Sequence, residues 1–298
     1  MPASSHVPPL PPVPARAARH LPVYRVGRTS GSAAAGSGRR ASVPAGAAAG
    51  LAARVGAGLL LTSAAVGGHA AWSVRRMRRS AAAVQPLVHD IDLPGRFPPR
   101  FLVMVGDSAA AGHGLRDPEQ LASRRVARGL VAADGRATAV RSVAVDGATT
   151  ADVLTTQVDA ARGAEVVLLG VGANDALARR WDRAALTDTT DRLLRALREV
   201  AAEHAQVVLH TCPDLSAAPG LPRALRPVVG WRCRRTAELQ AAVAALHGVA
   251  VVDLPRRRLT REVFGADGFH PGAEGHARMA ERVLSLLRVP AEQATARR

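Results

Sequence analysis

The sequence predicts a three-layer α/β fold built on a parallel sheet. Short apolar runs rich in Val and Leu alternate with longer amphipathic stretches from about residue 100 onward. Each run is bounded by Gly, Asp or Pro and lacks polar alternation, as strands buried on both faces do. Hydrophobic residues make up 48% of the chain and aromatics only 3%, so a large core is available but must be built from Ala, Val and Leu.

The predicted strands are residues 101–105, 137–145, 165–169, 206–210 and 249–252. Helical patterns separate them. The clearest spans 182–204, with Leu186, Leu193, Leu194, Leu197, Val200 and Ala201 on one stripe. Five strands alternating with helices give a parallel sheet covered on both faces. Such sheets bind ligands beyond the carboxyl ends of their strands, so the loops after the strands are where chemistry is expected.

The expected organisation is a Pro/Ala/Arg-rich disordered tail (1–50), an apolar segment (51–79), a linker (80–99), a folded body (100–290) and a short tail (291–298). Residues 55–74 carry no charged side chain and have about the length of a bilayer-spanning helix. The segment is read as a membrane contact. A signal peptide and an Ala-rich helix packed on the body are its rivals, leaving a soluble cytoplasmic or an exported protein as the alternatives. Four Arg follow the segment and three precede it, which leans toward a cytoplasmic body without fixing the side.

The formal net charge of +16 is unevenly spread. All 40 basic residues are Arg, and residues 1–80 hold 11 of them with no Asp or Glu. The remainder has 29 Arg against 24 acids, a balance of only +5. The basic character therefore belongs to the N-terminal part. No aromatics interleave its Arg residues, so nucleic acid is not an expected partner. Cys212 and Cys233 make no disulfide framework and no zinc motif; whether they pair is left open.

Four strand-end loops hold chemistry-bearing residues. The first reads Gly106-Asp107-Ser108, where a serine between a strand and a helix meets backbone N–H groups able to hold an oxyanion. Standing alone, a helix cap is the commoner reason for Asp or Ser there. The second holds Gly147, which permits a tight turn. The third reads Gly172-Ala173-Asn174-Asp175, where an amide can donate to an oxyanion without adding charge, or simply cap a helix. The last reads Asp267-Gly268-Phe269-His270. A serine hydroxyl needs a base, and a histidine needs a carboxylate to fix its tautomer. On its own, Asp-x-x-His is equally a surface turn or half a metal site; no companion His/Asp cluster with metal spacing accompanies it in the sequence.

In this order, Gly-Asp-Ser, Gly147, Gly172-x-Asn174 and Asp267-x-x-His270 resemble the four signature blocks of the SGNH (GDSL) hydrolase family over residues 100–288. The segment Thr211-Cys-Pro-Asp-Leu215 also resembles its actinobacterial members. The resemblance implies a flavodoxin-like, five-stranded sheet and ester hydrolysis through an acyl-enzyme. It implies Ser108 as nucleophile, His270 as base and Asp267 as its orienter. The oxyanion donors would be the Ser108 and Gly147 N–H groups and the Asn174 side chain. It implies no metal or organic cofactor, and a small-molecule, lipid or carbohydrate ester as substrate. Ala109 departs from the Leu usual after the serine, and His276 stands near where many members carry Tyr. A non-catalytic binding module on the same fold is the alternative reading. His113, Trp181, Leu215 and Trp231 are candidates for pocket walls.

Overall fold

The computed structural model describes residues 87, 90–253 and 259–287. The 1–50 tail, the 51–79 segment and the 291–298 tail lie outside them, as do residues 80–86, 88 and 89 of the 80–99 stretch. Among the described residues no helix is long and apolar enough to cross a membrane.

Six strands form one sheet: β1 (Ile91–Leu93), β2 (Arg96–Gly106), β3 (Arg136–Ser142), β4 (Val166–Gly170), β5 (Gln206–His210) and β6 (Ala250–Val252), in the order β1-β3-β2-β4-β5-β6. The five strands read from the sequence are all present and mutually parallel. Counted among themselves they run 2-1-3-4-5, the doubly wound order of flavodoxin-like folds. The chain reverses its direction of winding at β2, so the crevice for a ligand opens at that strand's carboxyl end.

One correction concerns the edge. Ile91–Leu93, within the stretch read as linker, pairs antiparallel with β3, so the sheet is mixed and has six strands. Three residues followed by Pro94-Gly95 are too short a run to announce a strand; β3's free edge supplies the partner.

The helices are α1 (Ala122–Asp134), α2 (Thr150–Thr156), α3 (Ala173–Leu177), α4 (Arg183–Val200), α5 (Arg226–Leu246) and α6 (Ala273–Leu286). The two-residue period of the strands divides the core between them. Val103, Val105, Val167, Leu169, Val207 and Leu209 pack with α2, α4 and α5. Leu102, Met104, Val166, Leu168 and Val208 pack with α1 and α6 on the opposite face. Asp182 caps α4 by accepting from the Ala185 N–H at 3.1 Å, and the stripe residues Leu186, Leu193, Leu194 and Leu197 are buried. Burying such leucines contributes about 2 kcal/mol each.

At the amino ends of the strands an ionic clasp closes the sheet. Arg100 and Asp134 are both buried and bonded to each other, and Arg100 also donates to Thr138 Oγ1 at 3.5 Å. Beside them Arg136 forks onto Glu165 at 2.7 and 2.6 Å.

Candidate active site

Two glutamines fix the strand-end turns that carry the site. Gln157, at the end of α2, accepts from the Gly106 N–H at 2.7 Å and donates to the Gly106 carbonyl at 3.0 Å. Gly106 itself approaches β4 so closely that an added Cβ would sit 2.0 Å from the Gly170 carbonyl oxygen, so only glycine fits. On α5, Gln240 accepts from the Cys212 N–H at 2.7 Å and donates to the Val171 carbonyl at 2.9 Å. Both side chains are buried, so each satisfies backbone groups left unpaired where the strands end.

Ser108 follows directly. The sequence reading placed a helix after it; the structure has a run of turns instead, bonded Ala111 N–H to Asp107 O (2.9 Å) and His113 N–H to Ser108 O (2.9 Å). Gly112 and Gly114, at φ +79° and +96°, break helical continuity. The backbone N–H groups beside Ser108 thus stand singly, without the dipole of a full helix behind them.

Asp267 and His270 occupy one turn before α6, and the Asp-x-x-His spacing works locally. Asp267 Oδ1 accepts from the backbone N–H groups of Phe269 (2.9 Å) and His270 (3.0 Å). This aims Oδ2 at His270 Nδ1, 2.5 Å away. An ionised carboxylate can only accept, so Nδ1 carries the hydrogen and Nε2 is left as a lone-pair acceptor. His270 Nε2 lies 3.0 Å from Ser108 Oγ, across 162 residues of sequence. Burial pushes the Asp267 carboxyl up, but its hydrogen bonds from His270 and from the Phe269 N–H outweigh this, and the net shift is downward. Asp267 therefore stays ionised where His270 would need it.

The loops that carry Gly147 and Asn174 meet at Ala148. Gly147 is exposed, at φ +77°. Its loop is held to the serine turn by the Val145 N–H, which donates to the Gly106 carbonyl at 3.0 Å. Asn174 Nδ2 donates to the Ala148 carbonyl at 3.0 Å, using one of its two hydrogens and leaving the other for a ligand. Asn174 does not cap α3; Gly172 stands at that position. Asp175 instead accepts from Thr150 through its N–H and hydroxyl, both at 3.0 Å to Oδ2.

His113 is drawn into the same cluster. Its ring centroid lies 4.4 Å from that of His270, and its Nδ1 lies 2.9 Å from Asp146 Oδ2. In the sequence it stood only among wall candidates, and no spacing ties it to Asp146, 33 residues away. Among the described residues, His113, Asp267 and His270 bring potential ligand atoms within 4.8 Å of one another. A cation there would compete with the Asp267–His270 bond, and the aligned relay to Ser108 fits proton transfer better.

Behind the serine turn lies a cavity of about 520 Å³. Ala109, Ala110, Leu215, Phe264, Phe269 and Met279 are among its walls. Ala109, the departure noted in the sequence, thus leaves space where a larger side chain would stand. Leu215 is the one wall candidate that lines the cavity directly; Trp181 and Trp231 pack on each other, ring centroids 5.3 Å apart. Asp107 and His210 are among the titratable groups that border it, with Arg278, Glu281 and Arg282. Burial pushes the Asp107 carboxyl up to about 7, and burial pulls the His210 imidazole down to about 4. His276 is buried away from this site, accepting from the Ala122 N–H at 3.2 Å.

Residues 104–278 match the family described as GDSL-like lipase/acylhydrolase. The chain is 33% identical over 197 residues to the GDSL-like esterase Rv1075c of Mycobacterium tuberculosis. That match covers 63% of this chain and 61% of the esterase, so the chain spans about three fifths of that relative's length. Among solved structures, TesA is 26% identical with a TM-score of 0.50, covering 63% of this chain and 98% of its own. A lipolytic protein of the G-D-S-L family from Veillonella parvula is 16% identical with a TM-score of 0.51, covering 63% and 98%, and supports the fold alone.

Proposed function

This chain belongs to the GDSL-like lipase/acylhydrolase family, and on that premise we propose that it hydrolyses carboxylic esters through an acyl-enzyme on Ser108. The observation that carries this reading is the continuous relay from Ser108 Oγ to His270 Nε2 and from His270 Nδ1 to Asp267.

In this mechanism Ser108 Oγ attacks the substrate carbonyl carbon while its proton passes to His270 Nε2. Asp267 stabilises the imidazolium that forms. The tetrahedral oxyanion is held by the Ser108 and Gly147 N–H groups and the free Asn174 amide hydrogen, which together supply several kcal/mol. The intermediate collapses, the C–O bond to the alcohol breaks, and His270 returns its proton to the leaving oxygen. Water then attacks the acyl-enzyme with His270 again as base, releasing the acid and restoring Ser108. No step requires a metal or organic cofactor.

The apolar cavity behind Ser108 supports an acyl chain as part of the substrate, its volume falling within the range of small-molecule pockets. The test is hydrolysis of p-nitrophenyl esters of graded chain length by the full chain near pH 8. The Ser108→Ala variant should lose about three or more orders of magnitude in kcat. Equal turnover by both proteins would remove Ser108 from the mechanism.

A further inference from the structure

We propose that His113 is a positioning residue that, through Asp146, fixes the loop carrying Gly147 against the Ser108–His270 pair. The inference rests on the serine-hydrolase reading of the site and adds to it a residue pair outside the relay.

Three contacts carry it. The His113 main chain is tied to the nucleophile, its N–H donating to the Ser108 carbonyl at 2.9 Å. Its ring packs on the His270 ring at 4.4 Å, tilted by 46°. Its Nδ1 donates to Asp146 Oδ2 at 2.9 Å, and Asp146 immediately precedes Gly147. One residue thus touches the nucleophile turn through its main chain, and the base and the Gly147 loop through its ring. The next residue keeps the approach close: a Cβ on Gly114 would sit 3.1 Å from His270 Cβ and 3.0 Å from the Pro271 carbonyl.

Burial makes the bond effective. The His113 side chain is 6% exposed and that of Asp146 is 56% exposed, so the histidine is the fixed partner and the loop residue is held by it. Gly147 has no side chain of its own to anchor it, and a Cβ placed there would meet nothing within 4 Å. The loop at that point relies on its neighbours for orientation. An oxyanion donor displaced by about 1 Å loses much of its value, with rate losses of about 100-fold. Nε2 of His113 is buried and has no hydrogen-bond partner among the described residues. Such an orphan costs stability, and it is tolerated where a residue is held for function. The Asp146 carboxylate raises the basicity of His113 and is itself held down by it; Asp267 and His270 are the other titratable groups acting on this pair.

The test is a double-mutant cycle on the full chain. His113→Phe keeps a ring on His270 but removes the bond to Asp146. Asp146→Ala removes the other partner. Each should lower kcat roughly 10- to 100-fold with little change in KM. The double variant should be no worse than either single one, because both break the same link. His113→Asn places an amide donor near the Nδ1 position and should recover most of the loss. Circular dichroism melts separate these effects from misfolding. As a readout apart from turnover, the nitrogen-bound proton of His113 Nδ1 should be seen by NMR in wild type and lost in Asp146→Ala. Wild-type kcat in His113→Phe, or fully additive losses, would overturn the proposal. If wild type neither turns over nor reacts at Ser108 with a fluorophosphonate probe, the serine-hydrolase reading fails, and this inference with it.

Discussion

The two ends of the sheet are built by opposite rules. At the amino ends, every buried charge described has an ionic partner: Arg100 with Asp134, and beside them Arg136 with Glu165. At the carboxyl ends, Asp107 and His210 are buried with no ion pair among the described residues, and both are pushed toward neutrality. Of the nine glycines with positive φ among the described residues, six lie at this end (Gly106, Gly112, Gly114, Gly147, Gly172 and Gly268), while Gly135, Gly163 and Gly248 precede strands at the other. One end is arranged for stability. The other carries unmet polar groups and constrained backbone, the signature of a site whose local rules yield to chemistry.

The sharpest way to break this contrast is to disable each end and compare what is lost. Asp267→Asn should leave the melt almost unchanged. It should lower kcat about 10⁴-fold, because the amide no longer holds the hydrogen on His270 Nδ1 in the required way. Steady-state kinetics beside a thermal melt would check both halves. Arg100→Leu should do the reverse. It strands Asp134 as a buried unpaired carboxylate, costing about 3–5 kcal/mol in urea unfolding, while kcat of the folded fraction stays within about twofold. A large kcat loss from Arg100→Leu would show that the two ends are not separable.

The third comparison uses pH. A carboxyl whose folded pKa is raised binds its proton more tightly in the folded state. The stability it contributes is fully present below its unfolded value near 3.8 and is lost as pH rises through about 7. Asp107→Asn keeps an acceptor for the Ala109 N–H, bonded at 3.0 Å in the wild type, and removes the titration. The variant's melting temperature should therefore gain on wild type as pH rises from about 4 to about 7, by a few degrees, and the gap should be level above that. A constant gap across that window would remove Asp107 as the source.

What the sequence disclosed follows the same division by distance. The Asp267–His270 pair was legible because three residues on one turn suffice to build it. The placement of Ser108 and Asn174 on strand-end loops was legible because the apolar runs before them end at Gly106 and Gly170. His113 was not, since its partner Asp146 lies on another loop and joins it only after β2 and β3 are paired. The helix expected after Ser108 failed because Gly112 and Gly114 redirect the backbone, while the side-chain pattern around them still looked helical. β1 escaped notice because its only reason to be extended is the open edge of β3.

That short strand has a practical corollary. It occupies the hydrogen-bonding groups along one margin of the sheet, which would otherwise be free to recruit a strand from another molecule. A shortened version of the protein beginning after Leu93 would keep every residue of the relay and still bare that margin. Self-association, rather than lost catalysis, would then be the first symptom, so a trimmed protein is better started ahead of Asp90.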